Sequence, residues 1–180
     1  MKTAVLIIDM IKDFVTGEFE NERAKEIVPN IQEVLEAARE KDKPVIYVTD
    51  AHPEGDEEFS IWGEHAKAGT EGSEVIPELE PMEGEPRLDK TKYSAFFETG
   101  LDEVLEEKGV IHRHVFDNAT ARFETSDAPH HDHIIDVETG EVVEFTSPEI
   151  ERLQREIARA RGYEVVMHRH ELYCRKKDSG

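Results

Sequence analysis

The chain has one cysteine among 180 residues, Cys174, so it cannot form an internal disulfide. It also lacks any long apolar run. Ala4–Ile8 is ended by Asp9, too short to span a bilayer and without a small-residue cleavage site, so a cytoplasmic protein is expected. Apolar residues make up only 37% of the chain and charged residues 36%. Basic residues are scarce: 22 Lys and Arg stand against 42 Asp and Glu, a net charge of −20. The deficit is uneven. Residues 1–110 carry 12 basic and 28 acidic side chains, and residues 111–180 carry 10 and 14. With no basic stripe, the first part is excluded as a nucleic-acid surface. There is no internal repeat and no low-complexity tract.

What is present falls into two rhythms. Ala4–Ile8 and Pro44–Thr49 are short β-branched runs, suited to strands buried on both faces. Between them Ile27, Ile31, Val34, Leu35 and Ala38 recur at helical spacing, with Pro29 expected in the first turn. Strand, helix and strand of these lengths make a βαβ unit, hence an α/β domain with a parallel sheet. Residues 51–89 are polar and rich in Glu, Gly and Pro, a long binding loop or lid with a short helix expected near Glu74–Leu79. A helix is expected from Thr99 to Lys108, with Gly109 at its C-terminal end.

After Gly109 the order becomes two hairpins, a helix and a strand, an α+β pattern. Strands are expected at Ile111–Phe116, Thr120–Glu124, His133–Val137, Glu141–Phe145 and Tyr163–Tyr173. Ser147 and Pro148 should open the helix.

Chemistry-bearing residues of the first part cluster at strand ends, where parallel sheets place ligands. Asp9 follows the first strand, Asp50-Ala51-His52 the second, and Trp62-Gly63-Glu64-His65 lies in the long loop. Asp50, His52 and His65 could hold one divalent metal with open positions. Lys90-Thr91-Lys92-Tyr93-Ser94-Ala95-Phe96-Phe97 supplies a lysine near a third strand. Together these motifs resemble the nicotinamidase/isochorismatase-like cysteine hydrolase family over about residues 1–109. The resemblance implies that Asp9 acts as a base with Lys90 as its cationic partner, that Asp50, His52 and His65 hold a metal, and that a small amide is the substrate. The family's nucleophilic cysteine follows the next strand, and Ile111-His112-Arg113-His114-Val115-Phe116 offers none. Covalent amide hydrolysis needs that thiolate. Cys174 matches no position of the family.

The second part holds seven of the nine histidines, three of them in His130-His131-Asp132-His133. In an extended chain, alternation sends His131 and His133 one way and His130 and Asp132 the other, so one strand could feed two metal sites. Mixed N/O ligation suits Zn²⁺, Fe²⁺ or Mn²⁺. His112, His114 and His170 are expected to face solvent. From Gly109 to about Asp178 the chain is similar to the ferric uptake regulator family, carried by Ala121-Arg122-Phe123-Glu124, His130–Ile135, Val143-Glu144-Phe145, Ile150-Glu151 with Gln154, and His168 with Leu172-Tyr173. The resemblance implies one site from His130, Asp132, Glu151 and His168. It implies a second from Glu124, His131, His133 and Glu144, normally completed by a histidine of a DNA-binding domain. The helix-turn-helix is replaced here, so DNA is not an expected partner.

The resulting expectation is a partial doubly wound α/β half-domain at 1–109, followed by a small α+β metal-binding dimerisation domain at 110–178. It is a divalent-metal-binding homodimer associating through residues 130–173, with no membrane partner. Three alternatives stay open: an amidohydrolase using metal-activated water, with strand 111–116 completing the parallel sheet; a metal-dependent repressor; and a fusion without selected function.

Overall fold

The computed structural model describes residues 2–114 and 122–177. It divides between Ile111 and His112 into two compact units. The expected strand residues 115, 116, 120 and 121 lie outside the described residues.

The first unit runs β1 (Val5–Ile8), α1 (Lys12–Val15), α2 (Glu22–Glu40), β2 (Val45–Asp50), α3 (Phe59–Trp62), β3 (Arg87–Lys90) and α4 (Leu101–Glu107). Its three strands are parallel in the order β1-β2-β3, with Val5 opposite Val45 and Tyr47 opposite Arg87. β2 is central, and Val45–Thr49 are all buried. Alternation divides that strand between two cores. Val45 and Tyr47 pack with Ile7, Leu35 and Ala38 on the α2 side, and Ile46 and Val48 with Leu101 and Leu105 of α4 on the other. Burying each large aliphatic side chain contributes about 1.5–3 kcal/mol before entropy is counted. Among the described residues β1 pairs with β2 alone, and its Ile8 is 45% exposed beside Ile27 and Val34 of α2, which are also exposed.

Two expectations are corrected in this unit. α2 begins earlier than the periodicity suggested, because the Asn21 side chain accepts from the Arg23 N–H at 2.9 Å. Pro29 therefore stands inside the helix, not in its first turn. In place of a helix at Glu74–Leu79 there are two single-turn 3₁₀ segments, Glu71–Ser73 and Pro77–Leu79. The long connection is tied down by bridges between Ile11 and Val75 and between His52 and Lys67, and by burial of Ile76 and Leu79.

The chain leaves α4 through Gly109, whose φ of +65° suits the left-handed position after a helix. β4 (Ile111–His114) crosses the division and pairs with β5 (Arg122–Thr125) in a two-stranded sheet. The described part of the 111–116 strand thus does not extend the parallel sheet. β6 (Asp132–Asp136) and β7 (Val142–Phe145) form the expected antiparallel hairpin, with His133 opposite Glu144. Its turn is closed by the Asp136 carboxylate, which accepts from the Glu138 N–H at 2.8 Å. Ser147 caps α5 (Pro148–Arg159) through the Ile150 N–H. β8 (Glu171–Cys174) joins β6 in parallel, giving the order β7-β6-β8. The expected strand from Tyr163 is shortened to these four residues; Val166 and Met167 are about fully exposed and pair with no strand.

No helix among the described residues is long and apolar enough to cross a membrane. The second unit has a thin core: its buried hydrophobic residues, among those described, are Ile135 and Val142. Ile135→Ala should therefore cost about 3 kcal/mol. Urea unfolding followed by amide signals of β6 and β8 should show these strands lost well before β2.

Candidate metal centres and an acidic cleft

The start of β6 sends donor atoms to both of its faces. On one, His130 Nε2 lies 3.3 Å from Asp132 Oδ1 and 3.2 Å from Glu151 Oε1. His168 Nε2 lies 3.0 Å from the same glutamate oxygen and 3.8 Å from the same aspartate oxygen. Donors around a tetrahedral zinc ion stand about 3.4 Å apart, so the four atoms have the spacing of a ligand set. Asp132 is buried, and its Oδ1, Glu151 Oε1 and His168 Nε2 are enclosed without a hydrogen-bond partner. Buried polar atoms are normally satisfied, and three open toward one point have the chemistry to hold a cation. α5 supplies Glu151 from its first turn, with Gln154 one turn on lining the same depression.

On the other face, His131 Nε2 is 2.7 Å and His133 Nε2 3.7 Å from Glu124 Oε1, and the two rings are 4.9 Å apart. His131 Nδ1 donates to the Pro129 carbonyl at 2.9 Å and Nε2 to Glu124 Oε1, so Nε2 is the nitrogen that a metal would take in place of its proton. That carbonyl, with Glu124, raises the His131 pKa against partial burial. Burial, reinforced by His131 and His114, holds His133 below its usual value and so in the ligating neutral form. Glu144 faces His133 across the β6–β7 ladder but is exposed.

The alternation argument thus brings together the expected residues, with two differences. β6 itself begins at Asp132, so His130 and His131 act from the loop before it. His114 and His170 do not simply face solvent: His114 Nε2 is 3.4 Å from Glu124 Oε2, and His170 Nδ1 is 3.7 Å from Asp132 Oδ2. Spacing in sequence gave no hint of either, because both approach through strand pairing.

In the first unit, Asp50, His52 and His65 also converge. His52 is fully buried; its Nδ1 meets Asp56 Oδ2 at 3.2 Å, and its Nε2 stands 3.8 Å from Asp50 Oδ2 without a hydrogen bond. His65 Nδ1 pairs with the Gly63 carbonyl at 2.8 Å, and Phe14, Phe19 and Phe59 surround its ring. Asp56 is a residue that sequence reasoning missed, a carboxylate that orients the imidazole.

Beside this cluster the buried Lys90 ammonium bridges two carboxylates, Asp9 Oδ2 at 2.9 Å and Asp50 Oδ1. Asp9 Oδ1 also accepts from the Asp50 N–H at 2.9 Å, and Asp9 itself has a φ of +56°. Burial, joined by the Asp50 charge, raises the Asp9 pKa against the opposing pull of Lys90. Burial works against the Lys90 charge, but its bonds to Asp50 and Asp9 prevail and its pKa is raised. Asp9, Asp50, His65 and Lys90 line a cleft of about 250 Å³ walled by Phe14, Phe19, Trp62 and Tyr93. Cys174 is exposed on β8, in the second unit.

Residues 3–115 match the Isochorismatase domain, and residues 102–173 match the Ferric uptake regulator family. The chain belongs to both families, each over its own segment. The ferric uptake regulation protein of Brucella abortus is 58% identical over 76 residues, which cover 42% of this chain and 54% of that one. Its counterpart from Pseudomonas aeruginosa is 46% identical over 95 residues, covering 47% and 71%. Among solved structures, an N-carbamoylsarcosine amidase from Thermoplasma acidophilum is 39% identical with a TM-score of 0.59, covering 61% of this chain and 63% of that one. The chain spans about half the length of the first curated relatives that it matches. The isochorismatase-like segment is thus an α/β domain with a parallel sheet, and the ferric uptake regulator segment a small α+β domain.

The Lys90 bridge makes a pH-dependent prediction. Folding favours protonated Asp9, so its ionisation costs stability, a cost present above its raised pKa and relieved as pH falls below it. Lys90→Met removes the neutralising charge and should destabilise the first unit by about 2–3 kcal/mol at pH 7. Part of that loss should return near pH 4, as seen in thermal melts across pH.

Proposed function

We propose that the chain is a divalent-metal-binding protein whose ferric uptake regulator segment forms the metal centres and associates as a homodimer. One observation carries this reading: Asp132 Oδ1, Glu151 Oε1 and His168 Nε2 are buried, unsatisfied and gathered with His130 Nε2. Two imidazoles and two carboxylates suit Zn²⁺, Fe²⁺ or Mn²⁺. Glu124, His131 and His133 make the second centre, with Glu144 across the ladder from His133. The dimer reading is supported by apolar side chains that this unit leaves exposed, Leu153 and Ile157 on α5 and Val143 and Leu172 on the two outer strands. With its thin core, a unit of this size gains stability by burying such a face against a copy of itself. Metal analysis of the purified chain should lose about one ion per chain in the His130→Ala, His168→Ala double variant. Sedimentation of the same samples reports the dimer. Unaltered metal content would reject the first centre.

A second reading has its own support, the cleft in which Asp50, His52 and His65 adjoin Asp9 and Lys90. A divalent ion held there would lower the pKa of a bound water and supply hydroxide without a cysteine. Asp9, with its raised pKa, is placed to accept a proton, and the aromatic walls suit a small planar amide. On this reading the purified chain hydrolyses nicotinamide slowly, and Asp9→Asn lowers kcat by about a hundredfold or more. Absence of turnover in the metal-loaded chain would remove it.

A further inference from the structure

We infer that His114 is a ligand of the second metal centre, so that a histidine from β4 completes the set begun by Glu124, His131 and His133. This rests on the reading of those three as a metal site. A closed tetrahedral zinc site takes four ligands, and three convergent side chains leave one place. Glu144 and His114 are the neighbours that could fill it. Glu144 is exposed, opposite His133 on β7. His114 is half-buried, with its Nε2 3.4 Å from Glu124 Oε2.

The rings are spaced as a coordination sphere requires. Imidazoles bound to one tetrahedral ion through Nε2 hold their ring centres about 5 Å apart. The His131 and His133 centres are 4.9 Å apart, and those of His114 and His133 are 5.3 Å apart. Glu124 stands between them with Oε1 toward His131 and His133 and Oε2 toward His114. Glu124, His131 and His133 already converge, and a turn of the His114 ring from Glu124 Oε2 toward that point would bring the third imidazole onto the ion. Three nitrogens and a carboxylate make a set suited to zinc.

The placement has a structural result. His114 is on β4 and Glu124 on β5, whereas His131 and His133 precede and open β6. The β4-β5 and β7-β6-β8 sheets are separate ladders. An ion shared by these four side chains would fasten one small sheet to the other, so metal binding should order β4.

The test uses the full chain with the other two centres disabled by His130→Ala, His168→Ala and His65→Ala, titrated with Co²⁺ and Zn²⁺. The expected result is one four- or five-coordinate Co²⁺ spectrum, with His114→Ala weakening Zn²⁺ binding by about tenfold or more and altering the visible bands. Glu144→Gln should change both much less. Zn X-ray absorption of the chain retaining His114 should count three imidazoles, and this measurement does not depend on how His114→Ala folds. Two imidazoles, or unaltered affinity and bands in His114→Ala while His131→Ala abolishes binding, would overturn the His114 assignment alone. Binding that survives His131→Ala as well would overturn the underlying site.

Discussion

The burial of the Asp132 carboxylate is the constraint on which the second unit depends. It sits at the first position of β6, almost wholly removed from water, with His130, His168 and His170 within 4 Å of its oxygens. An ionised carboxylate in such a place is costly unless cations or strong donors surround it. Imidazolium protons or a divalent cation would each meet that need. With Ile135 and Val142 as the buried aliphatic residues among those described, the unit has little else with which to hold α5 and the segment before β8 near β6. If a metal ion binds there, folding and binding become one equilibrium.

The first unit is organised differently. Its apolar packing is ample around β2, and its polar site is added at the strand ends. Asp9 and Asp50 end neighbouring parallel strands, and Lys90 ends the third, so register alone brings two carboxylates and an ammonium into one cluster. The long connection then lays His65 and its aromatic neighbours over that cluster. The cleft that results is lined by Asp9, Asp50, His65 and Lys90, and residues 1–110 hold no cysteine.

How much of this could be read from residues depended on the range of the interaction. β1 and β2 were legible because their apolar runs are continuous, and the β6–β7 hairpin because Thr139-Gly140 marks its turn. The donor set of His130, Asp132, Glu151 and His168 was reached through resemblance, since nothing local links Glu151 to His168. Pro29 was misplaced because helical periodicity does not show where a helix begins, and Asn21 does. The strand from Tyr163 was overextended because Val165, Val166 and Met167 have strand-like composition but no neighbouring strand to pair with. His114 and His170 were missed since their approach is made by strand pairing and not by spacing along the chain.

The unpaired edge of β1 has a further meaning. An exposed edge with Ile8 beside Ile27 and Val34 is a template on which other chains can add. The segment carrying it is also the more acidic part of the protein, with 28 acidic side chains against 12 basic ones in residues 1–110. Copies approaching through this edge repel one another, and the repulsion fades over about 10 Å at 0.1 M salt. Charge here does the guarding that a covering strand would do elsewhere, which makes the chain's colloidal behaviour a function of ionic strength and acidity.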